Sequence, residues 1–137
     1  MSTILSIDRA IIKVVVSPGK YWIGDNCYFL DSADSDAQNR SFFDGVQGSS
    51  NIKVGTLASG IQVVGMQTKY GDGAYYDQFG RMYYVDSGII SLTPFEAYPD
   101  YKPDTGDGVC VTFGAEAECT WENGILKFGS VWIDTDN

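Results

Sequence analysis

The 137-residue chain contains no histidine. Imidazole is the commonest general base in enzymes and the commonest zinc ligand, so its absence excludes Ser-His-Asp and Cys-His catalysis and argues against a zinc site. Ser87 lies in a Val-Asp-Ser-Gly segment at 85–88, and no residue near it in the sequence supplies a base. The sequence therefore favours a protein that works without nucleophilic catalysis.

Cysteine is scarce, and long apolar runs are missing. Cys27, Cys110 and Cys119 are far apart, and their odd number favours reduced thiols in a reducing compartment. The apolar run at 10–16 is interrupted by Lys13 and is much shorter than a membrane span. No basic segment precedes it as in a secretory signal. We therefore expect a cytoplasmic protein.

Basic residues are also few, with 9 Lys and Arg against 18 Asp and Glu and a net charge of −9. This balance is the reverse of what phosphate backbones and anionic membranes attract, so neither is expected as a direct partner. Residues 96–137 hold nine acidic and two basic residues, a net charge of −7, which leaves −2 for the first 95 residues. We expect a partner with a basic surface to meet the C-terminal third.

Glycine is abundant, with 16 residues placed between short apolar segments. This spacing predicts many turns and many strands, and the fold class is all-β: one domain over 1–137, an antiparallel β-sandwich or a partly open β-barrel with at most one short helix. The helix is predicted at 35–44. The strands are predicted at 10–17, 21–25 with 27–30, 52–58, 61–70, 74–79, 82–86, 88–95, 109–113, 118–122 and 125–134.

Three short segments predict hairpins: Ser59-Gly60, Gly80-Arg81 and Asn123-Gly124, of which the last is typical of a type I′ turn. The strand that precedes Asn123 alternates regularly in polarity. Its small and apolar side chains are Ala117, Cys119 and Trp121, and its acidic side chains are Glu116, Glu118 and Glu122. We therefore expect the three glutamates to face solvent.

Four aspartates form the catalytic and metal-ligating inventory of the chain: Asp25, Asp72, Asp77 and Asp86. If they meet at one end of the sheet, their oxygens suit Ca²⁺ or Mg²⁺, although no EF-hand loop is present. Two of them at a defined separation would suit acid and base roles on a glycoside. Alternatively, each aspartate beside a glycine caps its own turn. No other cofactor is indicated.

Tyrosine is concentrated between residues 70 and 84. A Tyr-Tyr pair within a strand directs one ring inward and one outward, because successive side chains point to opposite faces. Outward rings on neighbouring strands would form a binding patch, whereas cross-strand ring pairs would serve stability, and both interpretations stay open. The predicted binding surface comprises Tyr70, Tyr75, Tyr76, Tyr83, Tyr84, Glu116, Glu118 and Glu122.

Three spaced motifs resemble those of a family of small, mostly uncharacterised proteins of tailed bacteriophages of the T4-like and related groups. The family pattern is G-D-x-C-Y, then Y-G-D-G-x-Y with D-x-x-G, then V-D-[SA]-G-x-I. Here it falls on Gly24, Asp25, Cys27 and Tyr28; on Tyr70, Gly71, Asp72, Gly73, Tyr75, Asp77 and Gly80; and on Val85, Asp86, Ser87, Gly88 and Ile90. The resemblance implies an early or accessory phage protein in the infected bacterial cytoplasm, and it implies no activity.

The leading hypothesis is a non-enzymatic phage accessory protein that binds a host or defence protein through its acidic C-terminal strands, its tyrosine patch, or both. Mimicry of the charge of DNA is one form of this idea. The first alternative is a divalent-metal site at the four aspartates with hydrolase activity. The second is a small-ligand sponge with a pocket lined by tyrosine and backbone amides.

Overall fold

The computed structural model describes residues 4–8, 13–25, 43–45, 51–57, 59–102 and 104–136. Within these ranges the chain forms strands joined by turns and a short 3-10 helix at Phe95–Ala97. The strands are β1 Ile4–Asp8, β2 Lys13–Val16, β3 Gly19–Gly24, β4 Asp44–Gly45, β5 Ile52–Thr56, β6 Gln62–Gln67, β7 Gly73–Asp77, β8 Met82–Val85, β9 Ile89–Pro94, β10 Val109–Phe113, β11 Ala117–Glu122, β12 Ile125–Phe128 and β13 Val131–Asp134.

The described strands form two antiparallel sheets that pack together as a β-sandwich, not a closed barrel. The seven-stranded sheet has the order β1-β2-β11-β12-β13-β7-β8, and the six-stranded sheet has the order β10-β3-β9-β6-β5-β4. The chain passes from one sheet to the other between β2 and β3, β6 and β7, β8 and β9, and β10 and β11. The predicted all-β fold class is therefore confirmed.

The core lies between the sheets and is built from alternate residues of each strand. Leu126, Phe128 and Ile133 contribute from the seven-stranded sheet, and each has no exposed surface. Ile23 and Leu92 contribute from the six-stranded sheet. Because a strand points successive side chains to opposite faces, the residues next to these in sequence point away from this core.

The predicted hairpins are present. Leu57 N–H donates to the Ile61 carbonyl at 2.8 Å and closes the β5–β6 connection around Ser59-Gly60. Asp77 N–H donates to the Arg81 carbonyl at 3.1 Å and closes the β7–β8 connection. Asn123 and Gly124 join β11 to β12 with φ of 51° and 83°, as a type I′ turn requires.

The prediction of one continuous strand over 125–134 is wrong, because a turn at Gly129-Ser130 separates β12 from β13. Gly129 has φ of 61°, which favours glycine. Its N–H donates to the Glu118 carbonyl at 2.9 Å, and a Cβ at this position would lie 2.8 Å from the Phe113 ring. Close packing and positive φ therefore fix the turn here.

Other differences lie nearer the N-terminus. β1 was not predicted from the sequence, and it pairs with β2 at the edge of the seven-stranded sheet. Most of the predicted helix at 35–44 lies outside the described residues, but Asp44 begins β4 instead of ending a helix. The predicted strand at 27–30, with Cys27, also lies outside them. None of the described segments forms a helix long and apolar enough to cross a membrane.

Leu126→Ala tests the assignment of the inner face. We expect it to lower the free energy of unfolding by about 2–5 kcal/mol, because burial is lost and a cavity remains. Leu5→Ala is the matched control, since the Leu5 side chain is 46% exposed in β1, and it should change stability by less than about 0.5 kcal/mol. Chemical denaturation measures both, and equal losses would contradict the assignment.

Candidate functional site

Asp77 ends β7 and holds the following turn with both of its carboxylate oxygens. Oδ1 accepts hydrogen bonds from the backbone N–H groups of Phe79 at 2.9 Å and Arg81 at 3.0 Å. Oδ2 accepts from Arg81 Nε at 2.7 Å and from the Tyr83 hydroxyl at 2.7 Å. Asp77 therefore caps its own turn, as the structural interpretation of these aspartates predicts.

The same contacts set the protonation states of Asp77 and Tyr83. Burial by itself raises the pKa of Asp77, but the hydrogen bonds from Tyr83, Arg81 and Phe79 together outweigh it and hold the pKa below its usual value. Burial, followed by the hydrogen bond to Asp77, raises the pKa of Tyr83. At neutral pH Asp77 is therefore a charged acceptor and Tyr83 a neutral donor.

Asp25 forms a clamp with the turn that follows β8. Its carboxylate is buried, with 1% of the residue exposed. Oδ2 accepts from the backbone N–H groups of Asp86 at 2.8 Å and Ser87 at 2.7 Å, and Oδ1 accepts from Ser87 Oγ at 2.7 Å. This clamp ties the end of β3 to the crossing between the two sheets. Two segments of the phage-like pattern, Gly24-Asp25 and Asp86-Ser87, thus meet in one structural contact.

The four aspartates Asp25, Asp72, Asp77 and Asp86 do not converge, so the condition for one shared site is not met in the structure. Asp72 precedes β7 and Asp77 ends it, and five residues of strand span about 17 Å. No ion contacts two side chains so far apart. Within the described ranges, no three His, Cys, Asp or Glu side chains are placed to hold a metal ion. Binding of Ca²⁺ or Mg²⁺ stays a prediction.

The five tyrosines divide between the core and the surface. Tyr75 and Tyr83 are directly paired across β7 and β8 and are 7% and 0% exposed, so their inclusion in a binding surface was wrong. Tyr70, Tyr76 and Tyr84 are exposed at 65%, 54% and 41%. The alternation of each Tyr-Tyr pair thus puts one ring inside the sandwich and one outside, which gives both stability and a patch.

The outward rings lie at the β13-β7-β8 end of the seven-stranded sheet. We call Tyr76, Phe79, Tyr84 and Trp132 the aromatic face; Phe79 and Trp132 are 67% and 49% exposed. Sequence reasoning missed these two. The signal for Trp132 is its place between the buried residues Val131 and Ile133, which requires it to face outward.

Strand register places charged side chains in a row beside these rings. We call Glu122, Ile125, Asp134, Tyr76 and Met82 the acidic row, because they are successive cross-strand partners over β11, β12, β13, β7 and β8. On the same face, Lys127 is the partner of Trp132, and its Nζ lies 4.7 Å from the centre of the Trp132 ring. The outer face thus presents Glu122 and Asp134 in one row and Lys127 in another.

A groove opens between these rows. Its volume is about 420 Å³, and its outer lining is Ala74, Tyr76, Gln78, Ile125, Trp132 and Asp134. The Gln78 side chain is fixed, since its Nε2 donates to the Ser130 carbonyl and its Oε1 accepts from Trp132 N–H at 2.8 Å. Rings, a carboxylate and a fixed amide thus border a concave surface of a size typical of ligand sites.

The predicted acidic side chains are exposed as expected. Glu116 precedes β11, and Glu118 and Glu122 lie on its outer face. Glu118 Oε2 lies 3.5 Å from Lys13 Nζ, and because the Glu118 side chain is exposed this pair contributes little to stability. The role of the three glutamates in binding stays a prediction.

Cys119, on the inner face of the same strand, is buried, and burial raises the pKa of its thiol to about 12.

Comparison with known proteins adds no family to this description. No family model, no curated protein and no solved structure matches the chain. The resemblance to small phage proteins therefore stays a prediction from the residues.

Asp25→Asn tests the clamp. We expect a loss of about 1.5–3 kcal/mol in the free energy of unfolding, because three hydrogen bonds to a charged acceptor are replaced by contacts to a neutral amide. Asp100→Asn is the control, since it makes the same substitution at an exposed aspartate outside this contact. It should change stability by about 0.5 kcal/mol or less. Equal effects of the two variants would contradict the clamp.

The pH dependence of stability tests Asp77. Since its pKa in the folded state is lowered, its contribution is complete above the unfolded pKa of about 3.9 and is lost as the pH falls through that value towards the folded pKa. The advantage of the wild type over Asp77→Asn should therefore shrink between about pH 6 and pH 2. Tyr83→Phe removes one donor and should show part of this change. Urea unfolding at each pH measures the free energy of unfolding. If its pH dependence is the same for the wild type and Asp77→Asn, the role of Asp77 is disproved.

Proposed function

We propose that this chain is a non-enzymatic accessory protein of a tailed bacteriophage that binds a host or defence protein in the bacterial cytoplasm. Phage origin rests on the resemblance in three motifs. Binding rests on the aromatic face, and this is the observation that carries the proposal. The divalent-metal hydrolase and the small-ligand sponge stay alternative predictions.

The aromatic face has the composition of the centre of a protein interface. Binding energy at interfaces is concentrated in a few Trp, Tyr and Arg residues, and Trp132 and Tyr76 line the same groove here. The Arg81 guanidinium carbon lies 5.1 Å from the centre of the Phe79 ring, so an exposed cation–π pair belongs to the same surface. A partner that covers these rings removes from water the apolar surface of four large exposed side chains.

Charge favours a basic partner. The net charge of −9 steers basic surfaces towards the protein, and the acidic row places Glu122 and Asp134 beside the rings. Charged side chains around an apolar centre accelerate association and select among partners. The acidic row therefore supplies selectivity, and the rings supply affinity.

Affinity capture from a bacterial lysate with matched variants tests the proposal. A partner retained by the wild type should bind Tyr76→Ser/Trp132→Ser at least about ten-fold more weakly, because two exposed rings are lost at the centre of the surface. Leu5→Ser, at an exposed apolar side chain in the edge strand β1 of the same sheet, is the control and should retain the partner.

A second arm reverses the charge of Glu116, Glu118 and Glu122 to lysine, and the partner should be lost if it is basic. Thermal melting verifies that each variant folds, which is expected since every changed side chain is exposed. The same partners captured by all variants would refute a role for this face.

A further inference from the structure

We infer that the groove receives an arginine side chain of the partner, with the guanidinium against the Asp134 carboxylate and the Tyr76 ring. This inference rests on the proposed function and names the group that the partner inserts.

Asp134 and Tyr76 form one end of the groove. They are direct cross-strand partners on β13 and β7, so their Cβ atoms are about 5 Å apart, and both side chains are exposed. Asp134 Oδ1 accepts the backbone N–H of Asp136 at 2.9 Å, which fixes the carboxylate. A fixed carboxylate beside an aromatic ring is a site for a flat cation, since the ring and the anion both attract positive charge.

The Trp132 ring, which also lines the groove, already has a cation beside it. Lys127 Nζ lies 4.7 Å from the centre of this ring, so a second cation would be repelled there. Asp77, in the wall of the groove, is buried and paired with Arg81 Nε at 2.7 Å, and its charge is therefore balanced within the protein. The acidic row contains Glu122 and Asp134 and no basic residue. Lys69 interacts with the charge of Asp134 but is paired with Asp136, at 2.6 Å from Nζ to Oδ1. A partner cation is therefore directed to Asp134.

Arginine fits this end better than lysine does. A guanidinium binds a carboxylate through two parallel hydrogen bonds and stacks on a ring at the same time, whereas an ammonium acts as a point charge. The methylene stem of arginine needs apolar contact, and Ala74 and Ile125 line the groove beside the site. A phosphate ligand has the wrong charge for a protein with a net charge of −9.

Titration with short peptides tests this inference directly. The probe is acetyl-Gly-Arg-Gly-amide, followed by amide NMR shifts and by the indole N–H signal of Trp132, which Trp132→Phe assigns. The matched probes replace arginine by citrulline, its neutral isostere, or by lysine. We expect saturable shifts at Tyr76, Asp134 and the Trp132 indole with the arginine peptide, and affinities at least about three-fold weaker with citrulline and with lysine.

Protein variants provide the second arm of this experiment. Asp134→Asn keeps the shape of the side chain and should weaken the arginine peptide about three- to ten-fold. Asp100→Asn removes an exposed carboxylate that does not line the groove, and it should leave the affinity unchanged. Equal binding of the arginine and citrulline peptides, equal effects of the two variants, or no saturation would each overturn the inference.

The outcomes separate this inference from the function on which it rests. If the captured partner still depends on Tyr76 and Trp132 while the arginine peptide binds no better than the citrulline peptide, the binding surface stands and the arginine contact falls. If no partner depends on the rings, the proposed function falls, and the peptide titration alone decides whether the groove is a cation site.

Discussion

The pleat of the seven-stranded sheet is the constraint on which the rest of the molecule depends. Val131 and Ile133 are buried in the core, so Trp132 and Asp134 must face solvent. A shift of β13 by one residue would expose two apolar side chains and bury a carboxylate, which is strongly unfavourable. Packing inside the sandwich therefore fixes which strand residues of the aromatic face and the acidic row face outward.

Buried carboxylates hold the crossings and turns of this frame. Asp77 accepts four hydrogen bonds in its turn, and Asp25 accepts three from the crossing between the sheets. Both carboxylates accept hydrogen bonds from donors of the protein itself. These contacts explain the presence of Asp25 and Asp77 without giving them a catalytic role. The exposed carboxylates Glu122 and Asp134 lie elsewhere, on the surface that presents the rings. Acidic residues of this chain thus have two roles: buried carboxylates hold turns by hydrogen bonds, and exposed carboxylates give the surface its negative charge.

Local sequence predicts the local parts of this structure. Asn123-Gly124 identifies its hairpin because only a few residues accept positive φ, and the alternation through β11 identifies Glu118 and Glu122 as outward. A single strand over 125–134 would place Trp132 on the same face as Leu126 and Phe128, inside the core. The turn at Gly129 changes the alternation and places Trp132 outside. Sequence reasoning missed this exposed ring because it missed the turn. Whether the four aspartates meet could not be predicted, because their separation depends on strand order and length, which no short motif encodes.

The central claim is that the protein acts through the aromatic face of the seven-stranded sheet. Hydroxyl-radical footprinting of the protein, alone and mixed with a bacterial lysate, measures the reactivity of each exposed ring. The account predicts that Tyr76 and Trp132 become protected in the lysate while Leu5, at the far edge of the same sheet, stays equally reactive. Unchanged reactivity of both rings, or protection confined to another surface such as that of Cys110 on β10, would contradict it.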